Sequence, residues 1–248
     1  MRAAGARRRA WHQSRADAAK KAAEEAAKKR NYDFAVELYQ QILEIDPNQG
    51  DARAGLRQAL KKRHELKKGG GLFRALSGAP QFAAAKALHK ARKFDACAKT
   101  LEGYLASNPL DEDANLLLGM ALEDAGHVAS ARAVYEFIAE IAPRNCTGLK
   151  RAGAMTARLG DHEKALEFYE RALAVDPRDQ EAIKARKDMS AERAMARSNL
   201  PIGHSRDQIK DKERAAELER EKRLHHTDDE LRAELARLEE RYTENRDP

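Results

Sequence analysis

The side chains that could do chemistry are few and scattered. Cys97 and Cys146 lie far apart, with no CxxC or Cys/His spacing around either. A structural zinc site needs thiolates and imidazoles at short fixed intervals, and a disulfide framework needs more cysteines than this. His225 and His226 are neighbours, and adjacent side chains of a helix point roughly 100° apart, so the pair reads as solvated and no metal is expected. The stretch "KKGGGLF" lacks both the Gly-Lys-Ser/Thr ending and the preceding strand of a phosphate loop. Cys97 reads as a small packed residue. Cys146 opens a helix, where a thiol can be activated, but no base can be assigned beside it. His127 and His162 fall in turns at the starts of helices, where capping or solvation are the ordinary roles. Nothing combines a nucleophile, a base and a group to orient them. The chain is expected not to be an enzyme and to bind no cofactor.

What the sequence does contain is a repeated helical phrase. "YDFAVELYQQILEIDPN" (32–48) returns as "HEKALEFYERALAVDPR" (162–178). Pro109, Pro143 and Pro177 are 34 residues apart, and Pro47 closes a similar segment. Within the four segments Ala35, Cys97, Ala131 and Ala165 are followed four residues on by Tyr39, Leu101, Tyr135 and Tyr169. Three residues later come Ile42, Tyr104, Ile138 and Ala172. This spacing places all three positions on one helical face, the stripe that a packed helix buries. Proline then stops the helix by removing a donor and disfavouring the α conformation before it. A further helical stretch precedes each segment and ends in a tight turn, "KKRNYD", "KARKFD", "EDAGHV" or "ARLGDH". Gly126 and Gly160 in the last two suit the left-handed residue that ends a helix.

Helix, tight turn, helix and proline every 34 residues resembles the tetratricopeptide repeat family. Residues 112–145 and 146–179 follow its pattern best, through Leu118, Gly119, Leu122, Ala131, Tyr135 and Pro143, then Gly153, Ala165, Tyr169, Ala172 and Pro177. Residues 78–111 match mainly in the second helix. Residues 16–49 have Ala22, Ala23 and Ala26 where the family usually has larger groups. The resemblance implies an all-α, right-handed superhelical solenoid of antiparallel helix pairs, here with a charged C-terminal helical tail. It also implies a non-catalytic scaffold whose concave groove is lined by the first helix of each pair.

The domain reading follows the composition. Residues 1–15 are expected to be a basic, disordered tail, and 16–49 the first repeat. Residues 50–77 read as an extra basic helix, stacked on that repeat, and a glycine-rich joint. Three consecutive repeats fill 78–179, and a polar helix over 180–198 caps them. Residues 199–248 read as a linker and charged helices. Thr227 and Glu230 form a capping-box pattern, and Leu231, Leu235, Leu238 and Tyr242 make a narrow seam. Such a helix could stand alone, dock, or form a short coiled coil.

The formal net charge of +6 is uneven, because residues 1–30 and 50–77 carry the excess of Lys and Arg while the remainder is net acidic. No apolar run approaches the ~18 residues of a membrane span. The N-terminus has charge but no apolar core, unlike a secretory signal, although its dearth of acidic residues loosely resembles a transit peptide. The two cysteines suit a reducing compartment, and a cytoplasmic location is expected.

The groove positions implied by the resemblance can be read off. They are Ala79, Phe82, Lys86, His89 and Lys90, then Asp113, Leu116, Met120, Glu123 and Asp124, then Thr147, Lys150, Ala154 and Arg158. Phe82, Leu116 and Met120 would form an apolar patch. Lys86 and Lys90 would edge it on one side, Lys150 and Arg158 on the other, with His89 also among the expected partner-binding residues. The expected ligand is an extended or helical segment of another protein. Some family members hold a peptide's terminal carboxylates with a Lys/Asn/Lys/Arg cluster; here only Lys150 and Arg151 suit, so that clamp is not expected. The alternative is binding of nucleic acid or an anionic surface through "ARRRAWHQSR" and "LKKRHELKK", with Trp11 stacking on a base. The sequence leaves the oligomeric state open.

Overall fold

The computed structural model describes residues 2–66 and 71–198, with side chains over 15–66 and 80–195. The chain divides into two compact units, Met1–Ala194 and Met195–Pro248, and the helix pairs belong to the first. Of the expected joint at 69–71, Gly71 opens a helix, while residues 69 and 70, the linker from 199, His225, His226 and the C-terminal seam lie outside the described residues.

Ten α-helices and no strand are found among the described residues. They are α1 (Arg2–Lys28), α2 (Tyr32–Ile45), α3 (Gly50–Leu66), α4 (Gly71–Lys90), α5 (Phe94–Ser107), α6 (Glu112–Asp124), α7 (Val128–Ile141), α8 (Cys146–Arg158), α9 (His162–Val175) and α10 (Gln180–Ser198). No described helix is long and apolar enough to cross a membrane. Residues 2–15 form the first half of α1. Their alanine and arginine are among the strongest helix formers, and propensity outweighs the charge.

Four antiparallel pairs follow from local rules: α1/α2, α4/α5, α6/α7 and α8/α9. Asn31, Asp111, Asn145 and Asp161 cap α2, α6, α8 and α9, each side chain accepting from a backbone N–H three residues on. The turns after α6 and α8 use Gly126 and Gly160 at φ +84°. After α1 and α4 the same left-handed position holds Arg30 (φ 60°) and Arg92 (φ 58°). Inside the pairs, Ala131 and Ala165 are fully buried. A Cβ on Gly119 would sit 2.4 Å from the Tyr135 ring, and one on Gly153 2.9 Å from the Tyr169 ring. The repeat's small residues are what let the two helices close on a tyrosine.

The buried apolar residues form two cores. Ala23, Ala35, Tyr39, Ile42, Leu56 and Leu60 anchor one within α1–α3. Leu101, Leu118, Leu122, Tyr135, Ile138, Leu149 and Ala172 belong to the other, running from α4 to α10. Besides packing on α2, α3 lies alongside α7. Arg53, Arg57 and Lys61 stand four residues apart on one face of α3 and meet carboxylates across the gap. Arg53 and Arg57 both donate to Glu102 of α5, and Arg57 reaches Asn115 of α6 at 3.5 Å. Lys61 and Gln58 donate to Glu140 of α7 at 2.5 and 2.6 Å. These bonds hold the Glu140 carboxyl below its ordinary range, Lys61 contributing most. Burial pulls the Arg57 pKa down against the pull of Glu102, though a guanidinium stays charged in proteins.

The segment before α3 completes the seat. His127 makes no side-chain cap at the start of α7. Asn48 supplies one from the N-terminal module, accepting from the Ala129 and Ser130 N–H groups at 2.9 and 3.4 Å. The Ser130 hydroxyl donates back to the Pro47 carbonyl at 2.7 Å. As a result α7 is buried on several sides, Ala133 and Phe137 included.

Candidate functional site

The first helices α4, α6 and α8 carry the predicted groove residues, each pinned by the core stripe on its opposite side. Phe82 of α4 is half-buried and stacks on Tyr104 of α5, with ring centroids 5.6 Å apart and planes 21° apart. The Lys86 ammonium lies 4.2 Å from the Phe82 ring centroid, a cation–π contact. Beneath them the Tyr104 hydroxyl donates to Asp111 at 2.6 Å. Burial, and then that carboxylate, push the Tyr104 phenol up to about 12. Phe82 and Leu116 are partly buried against the array core, and Met120 is half-buried.

The charged positions divide into engaged and available groups. His89 Nε2 is 3.1 Å from an Asp124 carboxylate oxygen, and its ring meets Phe94 edge-on at 5.5 Å. Lys150 is committed to the start of α10, 2.8 Å from Asp179 and 2.5 Å from Glu181. Burial opposes its charge, but the two carboxylates win and the Lys150 pKa rises. The Asp179 carboxyl is correspondingly held down, first by Lys150. Arg151 donates to Glu123 at 2.7 Å, and Glu123 also accepts from the Tyr135 hydroxyl at 2.9 Å. Burial, chiefly, raises the Tyr135 pKa. By contrast Lys86, Lys90 and Arg158 are exposed and have no carboxylate partner among the described residues. The contacts of Lys150 with the capping helix and the Glu123–Arg151–Tyr135 cluster were not foreseen. Their only sequence signal was an acidic residue one repeat away, which spacing alone does not single out.

The helix pairs, the tyrosine-on-glycine crossings and the closing helix identify the architecture, and comparison with known proteins agrees. The family model described as "Tetratricopeptide repeat" matches residues 26–53 and 152–182. Those two stretches match tetratricopeptide repeats, and the helix pairs have that architecture. Among curated proteins, "Protein CTR9 homolog" from Arabidopsis thaliana is 37% identical over 66 residues, which are 27% of this chain and 6% of the relative. The match thus spans a small part of that relative's length. Similar solved structures include the first TPR of Spaghetti (RPAP3) bound to HSP90 peptide SRMEEVD, at 19% identity and TM-score 0.45, covering 47% of this chain and 93% of that one. YrrB, described as a TPR protein with an unusual peptide-binding site, is 20% identical with TM-score 0.42, covering 68% and 90%.

In this array of helix pairs, polar contacts brace successive repeats on both helix layers. His127 lies 3.0 Å from Asp95, Lys164 2.8 Å from Glu136, and the Arg171 guanidinium donates to the Ala139 carbonyl at 2.8 Å. Asn145 donates to Glu112 at 2.6 Å, and His162 lies 3.2 Å from Glu192 of α10. The two cations that suit a carboxylate clamp, Lys150 and Arg151, are absorbed in this bracing. Cys97 is fully buried, and burial pushes its thiol pKa up; Cys146 donates weakly to the Ala172 carbonyl at 3.6 Å. Among the described residues, no three His, Cys, Asp or Glu side chains converge where a metal could bind.

Proposed function

We propose that the chain is a non-catalytic adaptor that holds an extended or helical segment of another protein on the faces of α4, α6 and α8. The observation that carries this reading is Phe82, a large ring kept half-exposed on its Tyr104 support with Lys86 over it. Aromatic anchors with a polar rim are the usual source of binding energy at protein interfaces. Leu116 and Met120 extend the apolar surface, and Lys86, Lys90 and Arg158 remain available for an acidic ligand. His89 and Lys150 contribute to the same face chiefly by bracing it. Two free cysteines, one buried and one half-buried, suit a reducing compartment such as the cytoplasm.

Binding of nucleic acid through the basic segments is the weaker reading, because α3 spends its charges internally. Lys61 pairs with Glu140, Lys62 with Glu65 at 3.0 Å, and Arg63 with Asp33 at 3.2 Å. The deciding experiment is quantitative affinity capture from the native extract by the full chain and by Phe82→Ala and Met120→Ala variants. Each should lose its specific partners by about tenfold or more. Unchanged capture by a folded double variant would move the site elsewhere.

A further inference from the structure

The seat that α3 takes on α7 has a counterpart elsewhere in the chain that no described helix covers. Helices α2 and α7 are both 14 residues long and align position for position, Tyr32 with Val128 and Ile45 with Ile141. On α7 the outward positions are Ser130, Ala133, Phe137 and Glu140, and α3 lies alongside that helix. Ser130, Ala133 and Phe137 are buried, and the Ser130 hydroxyl donates to the Pro47 carbonyl at 2.7 Å. Glu140 accepts from Lys61 and Gln58 at 2.5 and 2.6 Å. This face of α7 therefore shows what its positions can hold, a basic helix.

The matching positions on α2 are Phe34, Glu37, Gln41 and Glu44, so Glu44 stands where Glu140 does. At about 100° per residue, Phe34, Leu38 and Ile45 fall on one narrow stripe, with Glu37 and Glu44 together along one edge. Phe34 is 47% and Ile45 41% exposed, and Leu38 is half-buried. Glu37 and Glu44 are exposed and have no cation partner among the described residues. They lie two helical turns apart, about 10.5 Å along the axis. The other two second helices lack this combination. On α5 and α9 the position of Glu44 holds Ala106 and Ala174, and that of Phe34 holds Ala96 and Lys164. Large apolar side chains left together on a stripe with a charged edge mark an interaction surface.

We infer that the outer face of α2 is a docking site for a basic amphipathic helix of another protein, laid on α2 as α3 is laid on α7. The apolar side of that helix covers Phe34, Leu38 and Ile45. Lys or Arg residues two turns apart meet Glu37 and Glu44, which fix its register and polarity. A nucleic acid does not suit this face, because the two carboxylates repel phosphate. The site is separate from the groove, whose residues belong to α4, α6 and α8.

The test uses the full chain and a fluorescent, stapled helical peptide with a leucine seam flanked by lysine at every seventh residue. A control peptide carries glutamate in place of each lysine. Anisotropy should show saturable binding of the lysine peptide, weakening as salt is added. Phe34→Ala should weaken it about tenfold, and Glu37→Lys and Glu44→Lys several-fold each, while Phe82→Ala leaves it unchanged. All three α2 side chains are exposed, so these variants keep the core intact. The inference is overturned if the lysine peptide does not saturate, or if the glutamate control binds as tightly. It is overturned, with the groove reading left standing, if binding depends on Phe82 and not on Phe34. It is overturned too if the full chain sediments as a dimer that Phe34→Ala dissociates, since a second copy would then cover the face.

Discussion

Glu102 should be the residue on which the seating of the N-terminal module depends. It is the single carboxylate shared by Arg53 and Arg57, whose side chains are 5% and 1% exposed while its own is 15% exposed. Replacing it with Leu would leave two guanidinium groups in a space closed to water. Breaking a buried ion pair from one side costs about 3–5 kcal/mol. Two residual contacts soften the loss, Arg53 to the Pro47 carbonyl at 3.3 Å and Arg57 to Asn115 at 3.5 Å. A cost of about 3 kcal/mol is therefore expected for Glu102→Leu. The triple variant Arg53→Met, Arg57→Met, Glu102→Leu removes the desolvation penalty along with the attraction, and should return to within about 1 kcal/mol of the parent. Urea unfolding read by circular dichroism follows all helices, whereas the fluorescence of Trp11, the one tryptophan, reports α1. Because the two cores are separate, the Glu102→Leu transitions should no longer coincide, the Trp11 signal moving first. A single variant costing under about 1 kcal/mol, or a triple variant no better than the single, would refute the reasoning.

Three other outcomes follow from the same geometry. Arg30→Gly and Arg92→Gly should each raise stability by about 0.5–1 kcal/mol in urea melts, because a left-handed residue costs glycine no Cβ clash; losses instead would mean those side chains do something the turn does not reveal. Asn48→Ala should cost about 1 kcal/mol by removing the cap it lends to α7, with hydrogen exchange accelerating at Ala129 and Ser130 rather than at the Asp161-capped start of α9. Tyr104 holds its proton more tightly folded than unfolded, so its contribution is complete below about pH 10 and is lost as pH rises toward 12; Tyr104→Phe should flatten that alkaline loss in melting temperature, and an unchanged slope would contradict it.

The helix pairs were legible because their physics is local and periodic. Ala131 and Tyr135 sit four residues apart on one turn-to-turn face, and Gly119 opposite Tyr135 needs no distant information to be read as a close crossing. The four left-handed turns were half legible: Gly126 and Gly160 announce a left-handed residue, whereas Arg30 and Arg92 adopt the same backbone against their preference, held there by the helices on either side. The seat of α3 was illegible for a different reason. Arg53, Arg57 and Lys61, spaced along one face, look like a solvated basic stripe until Glu102 and Glu140, from two other helices, are brought opposite them. The proposed groove shows the same asymmetry. Sequence places Lys86, Lys90, Lys150 and Arg158 on one surface, but only the fold separates the cations it consumes from those it leaves open. Lys150 looks like a ligand contact by position and is a brace to α10 by geometry, while Lys86, tethered among the described residues to a ring and to no carboxylate, keeps its charge available. A charged residue's role is set by what lies across from it. In a repeat array, that neighbour comes from the next turn of the solenoid or, as α3 shows, from a module the period does not include.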